Sequence, residues 1–156
     1  MESAAAYELC QEKHDYIPMA RARMLQCMVE NARYDEQIGD SSELHRHAQR
    51  AHDFARNAVE MAAKTQNRRL LARAYVWQGL TLTNGFFNDP DAARQCCNQA
   101  TQLLRMEGNE RPWDDLQELK TRILRKAQVE TVLQEWEQGL VGAKHFSRSR
   151  RSSRLS

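Results

Sequence analysis

The sequence predicts an all-α fold built from antiparallel helical hairpins, and three observations predict it. The 156 residues include only six Gly and three Pro, with 41% apolar and 28% charged residues. This composition is typical of soluble helical proteins rather than of strand-rich or disordered chains. Apolar residues recur at spacings of three and four along most of the chain. Two helix–turn–helix segments also share sequence, which indicates a repeated structural unit.

The first hairpin is predicted at about residues 19–66. Pro18 suits the first turn of a helix, and apolar residues follow at helical spacing as far as Gly39. Ser41 or Ser42 is expected to cap a second helix, whose apolar face consists mostly of alanine. The residues of that face are Leu44, Ala48, Ala51, Ala55, Ala58, Val59 and Ala62.

The second hairpin is predicted at about residues 69–108. Its first helix should end near Gly85, because Asn-Gly is a common C-terminal stop. Asp89 as N-cap and Pro90 at the first helical position form a start signal for the next helix, which should end at Gly108.

One long helix is predicted at about residues 113–140, or two helices with a bend near Ala127 and Gln128. A short helix is expected at residues 2–13. The helical domain would then span residues 1–142.

Residues 143–156 form a basic tail rich in serine and arginine. The tail has too little apolar surface to offset the entropy cost of ordering, so disorder is expected there. Ser152 and Ser153 follow two arginines and are candidate phosphorylation sites. The tail could equally be a nuclear-import signal, a contact to nucleic-acid phosphates, or simply a solvated end.

The internal repeat is visible on both helices of each hairpin. Residues 20–27 align with residues 72–79 at an offset of 52, with four of eight positions identical. On the second helices, Ala51, Ala55 and Ala58 fall on small residues at an offset of 42. Such hairpins cannot bury their apolar faces alone and must stack on a neighbour.

The pattern Tyr75-x3-Gly79, followed by Ala93-x3-Cys97-x2-Ala100, resembles the tetratricopeptide repeat, and the resemblance covers roughly residues 19–106. It implies that the hairpins stack as a short α-solenoid, with the first helix of each pair lining a concave groove. A bundle of loosely related hairpins is the alternative.

The resemblance places eight candidate partner-binding residues in that groove. They are Arg21, Met24, Met28, Asn31, Arg73, Val76, Leu80 and Thr83. The four apolar members could instead be core residues, since core packing gives the same helical spacing.

Catalytic and metal-binding patterns would be competing explanations of the sequence. His45, His47 and His52 are separated by two, five and seven residues, whereas chelation from one helix needs three or four. The sequence contains neither a phosphate-binding glycine loop nor a nucleophile elbow. No enzymatic activity, metal or cofactor is therefore expected.

Four cysteines without a CxxC spacing favour reduced thiols in an intracellular protein, cytoplasmic or nuclear. No apolar run approaches the length of a membrane span. The formal charge of +2, less the five positive charges of the tail, leaves −3 on the rest of the chain, which disfavours nucleic-acid binding outside the tail.

The predicted function is that of an adaptor, a helical-repeat module presenting a groove to a peptide or helix of another protein. One alternative is a sensor or scaffold segment of a larger signalling or transcription-regulating protein. Another is nucleic-acid binding by the tail. Because independently stable arrays usually need three repeats and two are found, either a missing neighbouring repeat or self-association is a further expectation.

Overall fold

The computed structural model describes residues 4–6, 8, 15–108 and 113–141. Within these ranges the regular secondary structure is helical and no β-strand occurs, which confirms the all-α prediction for the described part of the chain. Residues 4–6 and 8 are helical. The remaining helices are α1 (Tyr16–Asp35), α2 (Ser41–Ala63), α3 (Arg68–Leu82), α4 (Pro90–Met106) and α5 (Asp114–Val141).

The chain divides into two compact units, residues 1–123 and residues 124–156. The first contains α1 to α4 and the beginning of α5. The described residues of the second, 124–141, are the remainder of α5, which is a single helix rather than two. The predicted tail, with Ser152 and Ser153, lies outside the described residues.

Side-chain caps fix the starts of three helices. Asp89 accepts a hydrogen bond from the backbone N–H of Ala92 at 3.1 Å, with Pro90 in the first turn, as predicted. The predicted serine cap of α2 is wrong, because Asp40 accepts from the backbone N–H of Glu43 at 2.9 Å. A carboxylate one residue earlier satisfies the same unpaired donors of the first turn. Asn67 caps α3 in the same way.

Helices α1 and α2 pack as an antiparallel pair. Arg23 donates to Asn57 at 3.0 Å, and further along α1 a carboxylate oxygen of Glu30 lies 2.6 Å from Nδ1 of His47. Residues later in α1 therefore contact residues earlier in α2, which makes the pair antiparallel. The alanine face of α2 is buried, as the sequence predicts. Small side chains on that face let the two helices approach closely.

Helices α3 and α4 form the second antiparallel pair. The connection is tight, and the backbone N–H of Asp89 donates to the carbonyl of Leu82. Further from the turn, Cys96 lies against α3, where a methyl group on Gly79 would be 3.2 Å from its Cβ. The absence of a side chain at Gly79 therefore lets α3 and α4 approach closely.

Contacts between the two pairs hold them together. Helix α2 packs on α3, and α1 also packs on α3. Asn31 of α1 donates to the hydroxyl of Thr81 at 2.9 Å. Trp77 is half-buried and packs against all three buried apolar clusters of the first unit. Trp77 thus links the three clusters.

Candidate functional site

A groove of about 540 Å³ opens between α1 and α3, beside the residue that precedes α5. We call it the α1–α3 groove. Its lining residues come from four places: α1, the cap of α3, the first two turns of α3, and the residue before α5. They are Arg21, Met24, Leu25, Met28, Asn67, Arg69, Leu70, Arg73 and Trp113.

The interior of the groove is apolar. Met24 and Leu70 are buried and belong to the core that holds α1 against α3. Met28 is half-buried, and Leu25 is 52% exposed beside it. A large exposed apolar side chain next to a flexible methionine gives a surface that can adapt to an apolar ligand group.

The polar lining of the groove is positively charged. Arg21, Arg69 and Arg73 are all exposed, and none of the described lining residues is acidic. The guanidinium carbons of Arg69 and Arg73 lie 6.0 and 5.1 Å from the ring centroid of Trp113. Such cation–π contacts orient both arginines without neutralising their charge. The site therefore combines an apolar floor with a positively charged rim.

Four of the eight predicted binding residues line this groove: Arg21, Met24, Met28 and Arg73. Asn31 lies outside it and is half-buried, with its amide directed to Thr81 and to the sulfur of Cys27. The role of Asn31 in the structure is to connect α1 to α3.

The other three predicted residues are corrected by the structure, because they are buried. Val76 and Leu80 share a cluster with Leu116, Leu119 and Ile123, so the beginning of α5 covers this part of α3. Thr83 is also buried, and its hydroxyl donates to the carbonyl of Leu80 at 2.7 Å. As packed, none of the three can touch a partner.

Five groove residues were not predicted from the sequence: Leu25, Asn67, Arg69, Leu70 and Trp113. Arg69 had a usable signal, since it precedes Arg73 by four residues and so lies on the same helix face. Trp113 had none, because the end of a connection is brought to the groove only by tertiary packing.

The three histidines of α2 make separate contacts. His47 pairs with the buried Glu30, which also accepts from Arg33 at 3.1 Å. His45 and His52 lie against Phe86 and Phe87 of the α3–α4 connection in tilted ring contacts, each at 4.9 Å between ring centroids. Within the described part of the chain, no group of three or more His, Cys, Asp or Glu is placed to hold a metal ion.

Burial changes the acid–base properties of two kinds of side chain. Partial burial, and secondly the charge of Arg56, lower the pKa of His52 below 6.5, while Asp53 opposes the shift. Cys27, Cys96 and Cys97 are free and buried, and burial raises the pKa of Cys27 and of Cys96 to about 11. Such thiols are poor nucleophiles.

No helix among the described residues combines the length and apolar character that crossing a membrane requires. Comparison with known protein families, curated protein sequences and solved structures finds no match to this chain.

Proposed function

We propose that this protein is an adaptor whose α1–α3 groove binds a segment of a partner protein that carries both apolar and acidic side chains. The observation that carries the proposal is the set of three exposed arginines around an apolar floor, without an acidic residue among the described lining residues. Electrostatic complementarity of this kind selects partners and speeds their encounter, while apolar side chains provide most of the affinity.

The helix contacts support an arrangement similar to stacked tetratricopeptide hairpins. Each of the four helices α1 to α4 packs on the next one, and the first helices of the two pairs also pack on each other. In such an arrangement a groove lies along the first helices, α1 and α3, and seven of the nine lining residues belong to them. The location of the lining residues on α1 and α3 therefore supports the proposal.

The groove suits a short amphipathic helix better than a ligand that makes a single contact. A helix presents apolar side chains at spacings of three and four, which can contact Leu25 and Met28 together. Acidic side chains beside that stripe would meet Arg69 and Arg73, whose forked guanidinium groups pair well with carboxylates.

The test is selection from a peptide library displayed on phage, with the full chain as bait. Selected peptides are expected to combine apolar residues with Asp or Glu. Their affinity is then measured by fluorescence polarisation for the wild type and for Arg69→Glu with Arg73→Glu. The double variant should weaken binding by about tenfold or more, since two attractive charges become repulsive.

A matched control is available on α2. Arg46 and Arg50 are also exposed arginines four residues apart, and neither lines the groove, so Arg46→Glu with Arg50→Glu changes the net charge equally. This control should bind like the wild type. If both variants lose affinity equally, the loss is an effect of net charge and the groove assignment is refuted. Selection of peptides without acidic residues would also refute it.

A further inference from the structure

The second half of α5 carries an apolar stripe that is open to solvent. Val129, Val132, Leu133 and Trp136 are between 55% and 67% exposed. At about 100° per residue, these four side chains fall within an arc of about 100° on one side of the helix. A stripe this continuous, ending in the most exposed of the four, Trp136, is typical of a helix face that contacts another protein.

The charges of the same segment complement those of the α1–α3 groove. Residues 129–137 include Glu130, Glu135 and Glu137 and no Lys or Arg. The groove lining includes three arginines and, among the described residues, no acid. Glu130 and Glu137 are seven residues apart and therefore lie along the same edge of the stripe. The segment thus has the chemistry that the proposed function requires of a groove ligand.

We infer that the α1–α3 groove of one copy of this chain binds residues 129–137 of a second copy. The inference rests on the proposed function and identifies one occupant of the groove. In this contact, Leu133 and Trp136 cover Leu25 and Met28. Glu130 and Glu137, on one edge of the stripe, face Arg69 and Arg73.

The expected association is weak and depends on salt. A short helix in a groove is at the small end of protein interfaces, below roughly 1,200 Å² in total, where complexes are transient. Exposed charges are screened over about 10 Å at 0.1 M salt, so dimerisation should weaken as the salt concentration rises. The wild type is therefore examined by analytical ultracentrifugation up to about 200 µM at low salt.

Two variants of the full chain separate the two sides of the contact. The groove variant is Arg69→Glu with Arg73→Glu, and the stripe variant is Leu133→Ser with Trp136→Ser. All four side chains are exposed, so both variants should fold, which circular dichroism verifies. Leu124→Ser is the matched control, because Leu124 is 63% exposed but lies about 180° around α5 from Leu133.

The decisive experiment mixes the two variants. Each variant alone should lose self-association by about tenfold or more. Their mixture should form a heterodimer, since the intact groove of one variant can bind the intact stripe of the other. The Leu124→Ser control should dimerise like the wild type.

Three outcomes would overturn the inference. A monomeric wild type would exclude the second copy as occupant. Dimerisation of the groove variant alone would mean that the stripes pair with each other. A mixture that stays monomeric would refute the pairing of groove with stripe. If library peptides still bind the groove in any of these cases, the proposed function stands and only the inference fails. If neither peptide binding nor self-association is found, both the proposed function and the inference are refuted.

Discussion

The close packing of Leu119 on Gly79 predicts that the effect of Gly79→Ala on stability changes sign when Leu119 is also replaced. Leu119 is fully buried, and a methyl group built on Gly79 would lie 2.7 Å from its Cδ2. Gly79→Ala should therefore destabilise the wild type, although alanine favours a helix. In a Leu119→Ala background the same methyl group enters vacated space, and Gly79→Ala should become stabilising.

The magnitudes follow from the packing. Leu119→Ala removes three buried carbon atoms and should cost about 3–4 kcal/mol of unfolding free energy, including the cavity left behind. Gly79→Ala gains about 1 kcal/mol of helix propensity and loses about 1–3 kcal/mol to overpacking, a net cost of about 1 kcal/mol. In the double variant the clash with Leu119 disappears and the 3.2 Å approach to Cys96 Cβ remains, so the double variant should be more stable than Leu119→Ala alone by up to about 1 kcal/mol.

Urea denaturation followed by circular dichroism at 222 nm measures the unfolding free energies of the wild type, the two single variants and the double variant. The comparison requires that the dependence of free energy on urea concentration, the m value, agrees between them. Gly139→Ala is the control, because Gly139 is in the same helix as Leu119 and a methyl group added to it would meet no described atom within 4 Å. It should not destabilise the protein. The reasoning is refuted if Gly79→Ala has the same effect with and without Leu119, since the two side chains would then not share space.

Three further predictions concern polar groups that are buried or partly buried. Glu30→Ala should cost about 1–3 kcal/mol, because His47 and Arg33 lose their acceptor, whereas Glu118→Ala in an exposed pair should change less than about 0.5 kcal/mol. Equal losses of unfolding free energy for the two variants, measured by urea denaturation, would contradict this prediction. The raised pKa values of Cys27 and Cys96 predict that a disulfide reagent labels both thiols slowly at about pH 8 until urea unfolds the chain. Fast labelling of either cysteine in the folded protein, assigned by mass spectrometry, would contradict this prediction. Since the pKa of His52 is lowered on folding, the unfolded chain binds the proton more readily, and this residue lowers stability as the pH falls below 6.5. His52→Gln should flatten that decline, and an unchanged pH profile would disprove the assignment.

Local signals predicted the helices well because each is a property of neighbouring residues. The Asp89-Pro90 start and the alanine face of α2 depend only on caps and on helical periodicity, and both occur in the structure. The cap of α2 was misplaced by one residue because Asp40 and Ser41 are both good caps, and only the backbone conformation decides between them.

The groove was only half predictable because its boundary is set by tertiary packing. Arg21 and Arg73 were found from the repeat, since equivalent positions of two similar helices point to one side. Val76 and Leu80 have the same helical spacing as groove residues, yet the beginning of α5 buries them. Apolar residues on a helix do not indicate whether a ligand or another helix of the same chain covers them.

The position of α5 also determines the length of segment that the groove can hold. The buried residues at its beginning share a cluster with Ala72, Val76 and Leu80 of α3, whereas Arg69 and Arg73 in the first two turns remain exposed. On α1 the open stretch from Arg21 to Met28 is eight residues, or about two turns. A helical ligand of two to three turns therefore fills the groove. Residues 129–137 form about two and a half turns, which is why this segment matches the groove in length as well as in charge.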